Sequence, residues 1–173
     1  VLDSGQVFPD RDAIVGAAAR TVDGLHVLVG DNSAFSGVPN RIGVARVDAG
    51  VLDPLQVVSD VYDPIAIVAS PFNDAVLVAS GFGDALIRIP LDPEATTAPL
   101  GTPVELSYSD ATPALPGGAV LVERGGLEGL VLVAENMGIG QVRFKEGGAI
   151  VDLGLTSSGS GYEAMVGAIG VQP

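Results

Sequence analysis

The sequence contains no cysteine, no tryptophan and only one histidine, His26. The absence of cysteine excludes a disulfide framework and any thiolate chemistry. A single histidine excludes a metal site built from several imidazoles and leaves acid–base chemistry to carboxylates. No apolar run approaches the roughly 20 residues that a transmembrane helix needs, so we expect no membrane insertion.

Basic residues are also scarce, since 8 Lys and Arg stand against 21 Asp and Glu, giving a formal net charge of −13. Nucleic-acid binding depends on clusters of Lys and Arg that neutralise phosphates, and this sequence has none. The same imbalance argues against an anionic membrane surface. It is compatible with divalent cations or basic partners, and its simplest interpretation is an acidic, soluble surface.

The composition is that of a folded all-β domain. Of the 173 residues 47% are hydrophobic, and 24 Gly and 12 Pro indicate many turns. No window of about 12 residues carries a helical apolar stripe. A chain of this length is ordinarily one domain with a core of its own, here residues 1–173.

The central stretch from Pro64 to Asp92 sets the pattern for the rest of the chain. Residues 65–70 are apolar or small at nearly every position, which is typical of a strand buried on both faces. Turn residues at 70–74 and a Gly-rich turn at 81–84 separate it from two further strands. Short strands joined by short turns predict an antiparallel meander.

Self-comparison shows that this pattern recurs. The segments around Val29, Val78 and Val133 match one another, with a period of about 50 residues that is typical of propeller blades. We predict three blade-like units, each of four strands, at 12–60, 63–109 and 117–156.

The two ends of the chain are predicted to supply single strands. Residues 2–8 resemble an outermost strand without its blade, and residues 162–171 resemble an innermost strand without its blade. Three blades are too few to close a ring, because propellers have about four to eight. We therefore expect either part of a longer propeller or one that is completed by another chain.

The motif in Pro64–Asp92, Pro-x-x-Ile-x-x-Ser-Pro followed by Val-x-Val-Ala and Leu-x-x-Ile-x-Leu-Asp, resembles the repeat of lactonase-like and surface-layer-type seven-bladed β-propellers. Weaker versions occur in the first and third units. The resemblance implies a propeller fold and includes both sugar-lactone hydrolases and extracytoplasmic binding proteins. Because the motif is a packing and turn signature, it carries no catalytic residue over to this chain.

Oxygen-bearing residues at the ends of the predicted second strands form one candidate site. Asp31, Ser80 and Glu135 hold equivalent positions, so propeller symmetry would place them on one rim. Asp31, Asn32, Glu135 and Asn136 could there bind a hard cation such as Ca²⁺, which takes six to eight oxygen ligands. The alternative is that they are turn residues bonded to their own backbone, with no cofactor at all.

A second set of carboxylates precedes the predicted innermost strands: Asp60, Asp63 and Asp110. The loops that enter innermost strands approach the central channel of a propeller, where paired carboxylates could act as acid and base if their environments differed. Solvated loop carboxylates are the commoner outcome. For His26, mid-strand between Leu25 and Val27, we expect a structural hydrogen bond within its own blade.

The function predicted from these observations is an extracytoplasmic binding or assembly module without catalytic activity of its own. Its partner would be another protein, further copies of the chain or the rest of a propeller, contacted through loops such as 31–40, 93–101 and 109–117. One alternative is a metal-dependent lactonase-like hydrolase that uses the rim carboxylates. Another is a structural subunit of a multi-chain assembly.

Overall fold

The structure is a computed structural model, and it describes residues 7–8, 15–31, 40–81, 83, 85–106, 116–123, 126–135 and 138–157. In these described residues twelve strands form three four-stranded sheets. Within these residues there is no helix, so none that could cross a membrane. The all-β prediction is therefore confirmed.

Each sheet is an antiparallel meander whose strands pair in chain order. The first sheet consists of β1 (Val15–Thr21), β2 (Gly24–Asp31), β3 (Arg41–Asp48) and β4 (Val51–Ser59). The second consists of β5 (Pro64–Ala69), β6 (Ala75–Ser80), β7 (Ala85–Pro90) and β8 (Val104–Glu105). The third consists of β9 (Gly118–Val122), β10 (Leu130–Glu135), β11 (Gly138–Phe144) and β12 (Ile150–Ser157).

The sheets stack face to face in the manner of propeller blades. Strand β5 contacts both β1 and β9, so the first strands of the three sheets lie side by side and are innermost. One apolar cluster, which includes Leu28 and Val76, lies between the first and second sheets. A second, which includes Leu77 and Phe144, lies between the second and third sheets. β6 is buried at all six residues because it has a neighbouring strand on both sides and a packed sheet over both faces.

Each sheet has the four strands predicted for a blade, and the fourth strand of the second sheet is the shortest. It pairs with β7 at Val104 and Glu105, and the Leu106 amide then donates to the Leu86 carbonyl at 2.8 Å. Pro103 immediately precedes β8 and cannot donate to a sheet ladder, which limits the strand on that side.

The outer face of the first sheet is covered by Val7 and Phe8, which pack against a cluster containing Val29, Ala45 and Leu52. The close approach requires a glycine beneath them, since a Cβ on Gly43 would lie 2.4 Å from Val7 Cγ1 and 2.7 Å from Phe8 Cζ. Residues 7 and 8 end the predicted strand 2–8, and the rest of it, like the predicted strand 162–171, lies outside the described residues.

The connection between β7 and β8 is fixed to the first sheet. The Gln56 side chain on β4 donates to the Leu100 carbonyl at 2.7 Å and accepts from the Leu100 amide at 2.8 Å. The amide of Val22 donates to the carbonyl of Pro93 at 2.8 Å. The sequence suggested that 93–101 is a loop able to contact a partner, and the structure gives this segment a role in joining two sheets.

Candidate functional site

Those predicted site residues that the structure describes lie along one edge of the sheets, where the second strands end. We call this edge the strand-end rim and define it by Asp31, Arg41, Asp63, Ser80 and Glu135. Asp31, Ser80 and Glu135 are the last residues of β2, β6 and β10, as the repeat alignment predicted. All three side chains are buried.

Asp31 is held by an ion pair across the β2–β3 connection. The Arg41 Nε donates to Asp31 Oδ2 at 3.0 Å, and the two residues face each other in the register of the sheet. The Arg41 guanidinium also lies over the Phe8 ring, 4.6 Å from its centroid, a cation–π arrangement. A buried carboxylate needs such a partner because burying an unpaired charge is costly. The pair thus fixes the rim in the first sheet.

Ser80 has a different structural role at the equivalent position of the second sheet. Its hydroxyl donates to the Tyr62 carbonyl at 2.6 Å, which joins the end of β6 to the segment that leads into β5. A Cβ on Gly83 would lie 2.0 Å from Ser80 Oγ, so the turn passes directly over this hydrogen bond. The Tyr62 side chain itself is exposed at the rim.

Asp60 and Asp63 have left-handed backbone conformations, with φ of 65° and 43°. Asp adopts this region more readily than most residues because its short side chain can bond locally. Between them Val61 is fully buried in the core. Asp60 is exposed, whereas Asp63 is buried and its Oδ2 would lie 2.6 Å from a Cβ on Gly81. The left-handed backbone conformation alone therefore explains why aspartate occurs at both positions.

The calcium site stays a prediction. Asn32, Asn136 and the channel-side candidate Asp110 lie outside the described residues. Among the residues that the structure does describe, no group of three or more His, Asp or Glu side chains is arranged to hold a metal ion. Asp31 and Glu135 occupy the rim of different sheets, and Asp31 is already engaged by Arg41.

His26 has the expected structural hydrogen bond within its own sheet. Its Nδ1 lies 3.1 Å from Thr21 Oγ1, and the ring is buried on the face that packs against the second sheet. The Nε2 atom is buried without a hydrogen-bond partner in the described structure.

A cavity of about 360 Å³ opens at the opposite edge, where the innermost strands end. Its walls include Ala18, Ala69 and Leu121 from β1, β5 and β9. Charges of both signs surround its mouth, with Arg20 on one strand and Glu123 and Glu128 beyond another. This cavity was not predicted from the sequence, although the small residues at 16–19 are a signal that β1 leaves space.

Searches for similar proteins define the fold but not a family. No family model matches this sequence, and no curated protein matches it. Fourteen solved chains match its structure. The structures described next are at most 21% identical to this chain, and a likeness at that identity shows the fold alone.

Three of these structures represent the set. The periplasmic gluconolactonase of Pseudomonas aeruginosa has a TM-score of 0.58 at 18% identity, over 82% of this chain and 42% of its own. A protein of unknown function from Desulfotomaculum acetoxidans has a TM-score of 0.56 at 14% identity, and the match covers 84% of this chain and 43% of that protein. A catalytically inactive virginiamycin B lyase from Staphylococcus aureus, solved with quinupristin, has a TM-score of 0.52 at 21% identity. The match covers 88% of this chain and 45% of the lyase.

The class of protein that follows is a β-propeller with lactonase-like neighbours, of which these residues form three blades. The chain spans about two-fifths of the length of each of these neighbours.

Proposed function

We propose that this chain belongs to a β-propeller that acts as a binding or assembly module and has no catalytic activity of its own. The observation that carries the proposal is that polar side chains of the strand-end rim are engaged in contacts within the fold. Asp31 is committed to Arg41, and the Ser80 hydroxyl to the Tyr62 carbonyl. Groups that fix the backbone in this way are poorly placed to act on a substrate as well.

Exposed aliphatic side chains support a protein partner. They recur on the outermost strand of every sheet, where Val57, Val104 and Leu153 are each about half exposed. Recurrent exposed apolar side chains on a protein of net charge −13 favour contact with another protein surface over contact with an anionic polymer. The exposed Tyr62 at the rim adds an aromatic side chain of the kind that anchors interfaces.

We further propose that the module works outside the cytoplasm. The sequence resemblance to extracytoplasmic propellers and the periplasmic location of the P. aeruginosa gluconolactonase support this proposal. Fractionation of the native host, with an antibody raised against the chain, tests it directly. Recovery in the cytoplasmic fraction would contradict it.

The rival function is a metal-dependent hydrolase of lactones, and one observation favours it. Asp31, Asp63 and Glu135 bring three buried carboxyl groups to one rim. A cation that binds only the folded state would raise the unfolding temperature. The hydrolase therefore predicts a stabilising shift with millimolar Ca²⁺ that is lost on Asp63→Asn.

The decisive test pairs thermal unfolding with a lactone-hydrolysis assay. We expect neither a Ca²⁺-dependent shift nor hydrolysis of gluconolactone above the spontaneous rate. Asp60→Asn is the matched control for Asp63→Asn, because Asp60 has the same left-handed conformation but is exposed. Hydrolysis that requires Asp63 and not Asp60 would replace the binding proposal with the enzyme.

A further inference from the structure

The cavity at the ends of the innermost strands is bordered by strand backbone as well as by side chains. Three consecutive residues of β1 line it, Ala18, Ala19 and Arg20, as do residues 69–71 at the end of β5 and 121–123 at the end of β9. Successive side chains of a strand point to opposite faces, so consecutive residues line one cavity where the backbone itself borders it. The cavity therefore lies against the backbone of the innermost strand of each sheet.

These innermost strands carry backbone groups that no neighbouring strand satisfies. In the described residues β1, β5 and β9 each stand at the edge of their sheet and pair only with β2, β6 and β10, respectively. Amide and carbonyl groups that point away from the paired strand have no partner in the sheet ladder. The cavity thus offers backbone donors and acceptors to a ligand.

Arg20 supplies the positive charge of the cavity. Its side chain is exposed and makes no hydrogen bond or ion pair to any residue that the structure describes. By contrast, Arg41 and Arg46 are held by Asp31 and Asp53. A guanidinium without a protein partner is available to a ligand carboxylate, which it binds through two parallel hydrogen bonds.

Two carboxylates supply the negative charge on the other side of β5. Glu123 and Glu128 both line the cavity, both are exposed, and neither is bonded to a described residue. Since β5 contacts β1 on one side and β9 on the other, these carboxylates and Arg20 belong to opposite walls. Carboxylates accept charge-assisted hydrogen bonds from an ammonium group.

Asn73 lies between the two charged walls, on the turn that follows β5. Its φ of 55° suits an asparagine, because this residue tolerates the left-handed conformation. Its side-chain amide has no hydrogen-bond partner among the described residues. An amide both donates and accepts, so it can bond to either side of a peptide group.

The remaining walls are small and apolar. They come from Ala18, Leu25, Ala69, Pro71 and Leu121. Leu25 is 39% exposed, and Ala18 is exposed as well. Short aliphatic side chains of a ligand would cover this surface and remove apolar area from water.

The combination of free groups selects a chemical class of ligand. Two carboxylates beside one guanidinium repel phosphate and other polyanions. A neutral sugar or a purely apolar molecule would leave all three charges without a partner. A molecule with a carboxylate at one end, an ammonium at the other and peptide groups between them matches every free group of the cavity.

We propose that the cavity binds a free peptide of about three residues, with its carboxylate on Arg20 and its ammonium between Glu123 and Glu128. The peptide groups bond to Asn73 and to the strand edges. Three extended residues span about 10 Å. The volume of about 360 Å³ lies within the range of roughly 300–1,000 Å³ that is usual for small-ligand sites.

Titration with tri-alanine, followed by the amide NMR shifts of the protein, tests this site. We expect saturable shifts at Ala18, Ala69 and Leu121, with a dissociation constant in the millimolar range or tighter. N-acetylation and C-amidation of the peptide should each weaken binding about tenfold, because each removes one charge-assisted contact. Absence of saturable shifts at these three residues would overturn the proposal.

Variants of the charged residues assign each end of the peptide to its wall. Arg20→Gln should weaken tri-alanine binding about tenfold, and C-amidation should then cost nothing further. The double variant Glu123→Gln, Glu128→Gln should behave in the same way toward N-acetylation. Capping that has the same effect in the variants as in the unaltered chain would contradict the assignment, since the charges would then act independently.

The matched controls are charged residues of equal exposure away from the cavity. Lys145→Gln and Glu105→Gln remove one charge of each sign from exposed positions beside β11 and on β8, and neither residue lines the cavity. We expect tri-alanine binding to be unchanged in both. A loss as large as that of Arg20→Gln would show that only net charge matters and would overturn the proposed contacts.

Filling the cavity gives a readout that does not depend on charge. Ala18→Leu places a larger side chain on the cavity wall at an exposed position, so the fold tolerates it and peptide binding should be lost. Ala149→Leu is the control, because Ala149 is exposed but lies between β11 and β12, away from the cavity. Undiminished binding by Ala18→Leu would show that the peptide sits elsewhere.

This inference goes beyond the proposed function and does not rest on it, because the cavity and the strand-end rim lie at opposite edges of the sheets. Failure of tri-alanine to bind leaves the proposed absence of catalysis untouched, since that depends on the lactone assay. Conversely, lactone hydrolysis that requires Asp63 would overturn the proposed function and leave the peptide site intact.

Discussion

Asp74 accepts a hydrogen bond from the amide of Gly148, 74 residues further along the chain, at 2.8 Å. The same carboxylate accepts the Ser70 hydroxyl through its other oxygen at 2.7 Å. One side chain therefore fixes the turn that carries it and joins the second sheet to the third. A positive φ of 74° at Gly148 suits glycine, and a Cβ there would lie 2.9 Å from the Asp74 carbonyl oxygen.

Asp74→Ala should destabilise the fold by about 2 kcal/mol, because it leaves the Gly148 amide and the Ser70 hydroxyl without their acceptors. Chemical unfolding with urea measures the difference. Asp23→Ala is the matched control at the corresponding turn of the first sheet, where the carboxylate contacts Arg46 at 3.6 Å in a partly exposed pair. We expect that control to cost less than about 1 kcal/mol. Equal losses would contradict the inter-sheet role of Asp74.

Gly43→Ala should destabilise the first sheet by about 1–3 kcal/mol, since the new methyl group would overlap Val7 and Phe8. Gly118→Ala provides the comparison, because a Cβ at Gly118 would have no atom within 4 Å. Both glycines lie in strands, so the difference between the variants isolates the steric effect. Thermal unfolding is a sufficient readout, at about 2–4 °C for each kcal/mol in a chain of this size. A neutral Gly43→Ala would show that Val7 and Phe8 do not pack there in solution.

Strand pattern and repeat were readable from the sequence because they depend on local chemistry. The run of apolar and small residues at 65–70, the turn residues at 70–74 and the match of Val29 with Val78 and Val133 are all properties of short segments. They place Val29, Val78 and Val133 correctly in the second strands of the three sheets. The start of β8 was harder to place, because it depends on Pro103 and on the long connection that crosses to the first sheet.

The partners of the site residues could not be predicted in the same way. The sequence placed Asp31 and Ser80 on one rim, but their bonds to Arg41 and to the Tyr62 carbonyl depend on turn geometry and on the entry to β5. Arg88 likewise donates to the Gly148 carbonyl in the next sheet. A backbone carbonyl 60 residues away leaves no mark in the local sequence.

Gln56→Ala should lower the stability of the fold by about 1–3 kcal/mol, because Leu100 loses both of its side-chain partners at once. Gln56→Glu is the sharper comparison, since a carboxylate can still accept from the Leu100 amide but cannot donate to its carbonyl. We expect Gln56→Glu to be destabilising as well, through repulsion between two acceptors. Urea unfolding of both variants measures the effect.

The same contacts change the expected outcome of removing the connection itself. If residues 93–101 were only a loop that contacts a partner, deleting them would leave folding intact. Because Pro93 and Leu100 hydrogen-bond to the first sheet, we now expect the deletion to lower the unfolding temperature. An unchanged unfolding temperature would show that the first and second sheets are held by their apolar cluster alone.

Thr21→Val should cost about 1–3 kcal/mol, because it removes the hydroxyl next to His26 Nδ1 while the imidazole stays buried with Nε2 already unpartnered. His26→Leu should be close to neutral, since a leucine fills a similar volume between the sheets and has no polar atom to satisfy. The double variant gives the decisive comparison, as Thr21→Val should lose most of its effect once His26 is gone. Urea unfolding of the four proteins supplies the cycle. Additive losses would show that Thr21 and His26 act independently, and the hydrogen bond between them would then contribute nothing to the first sheet.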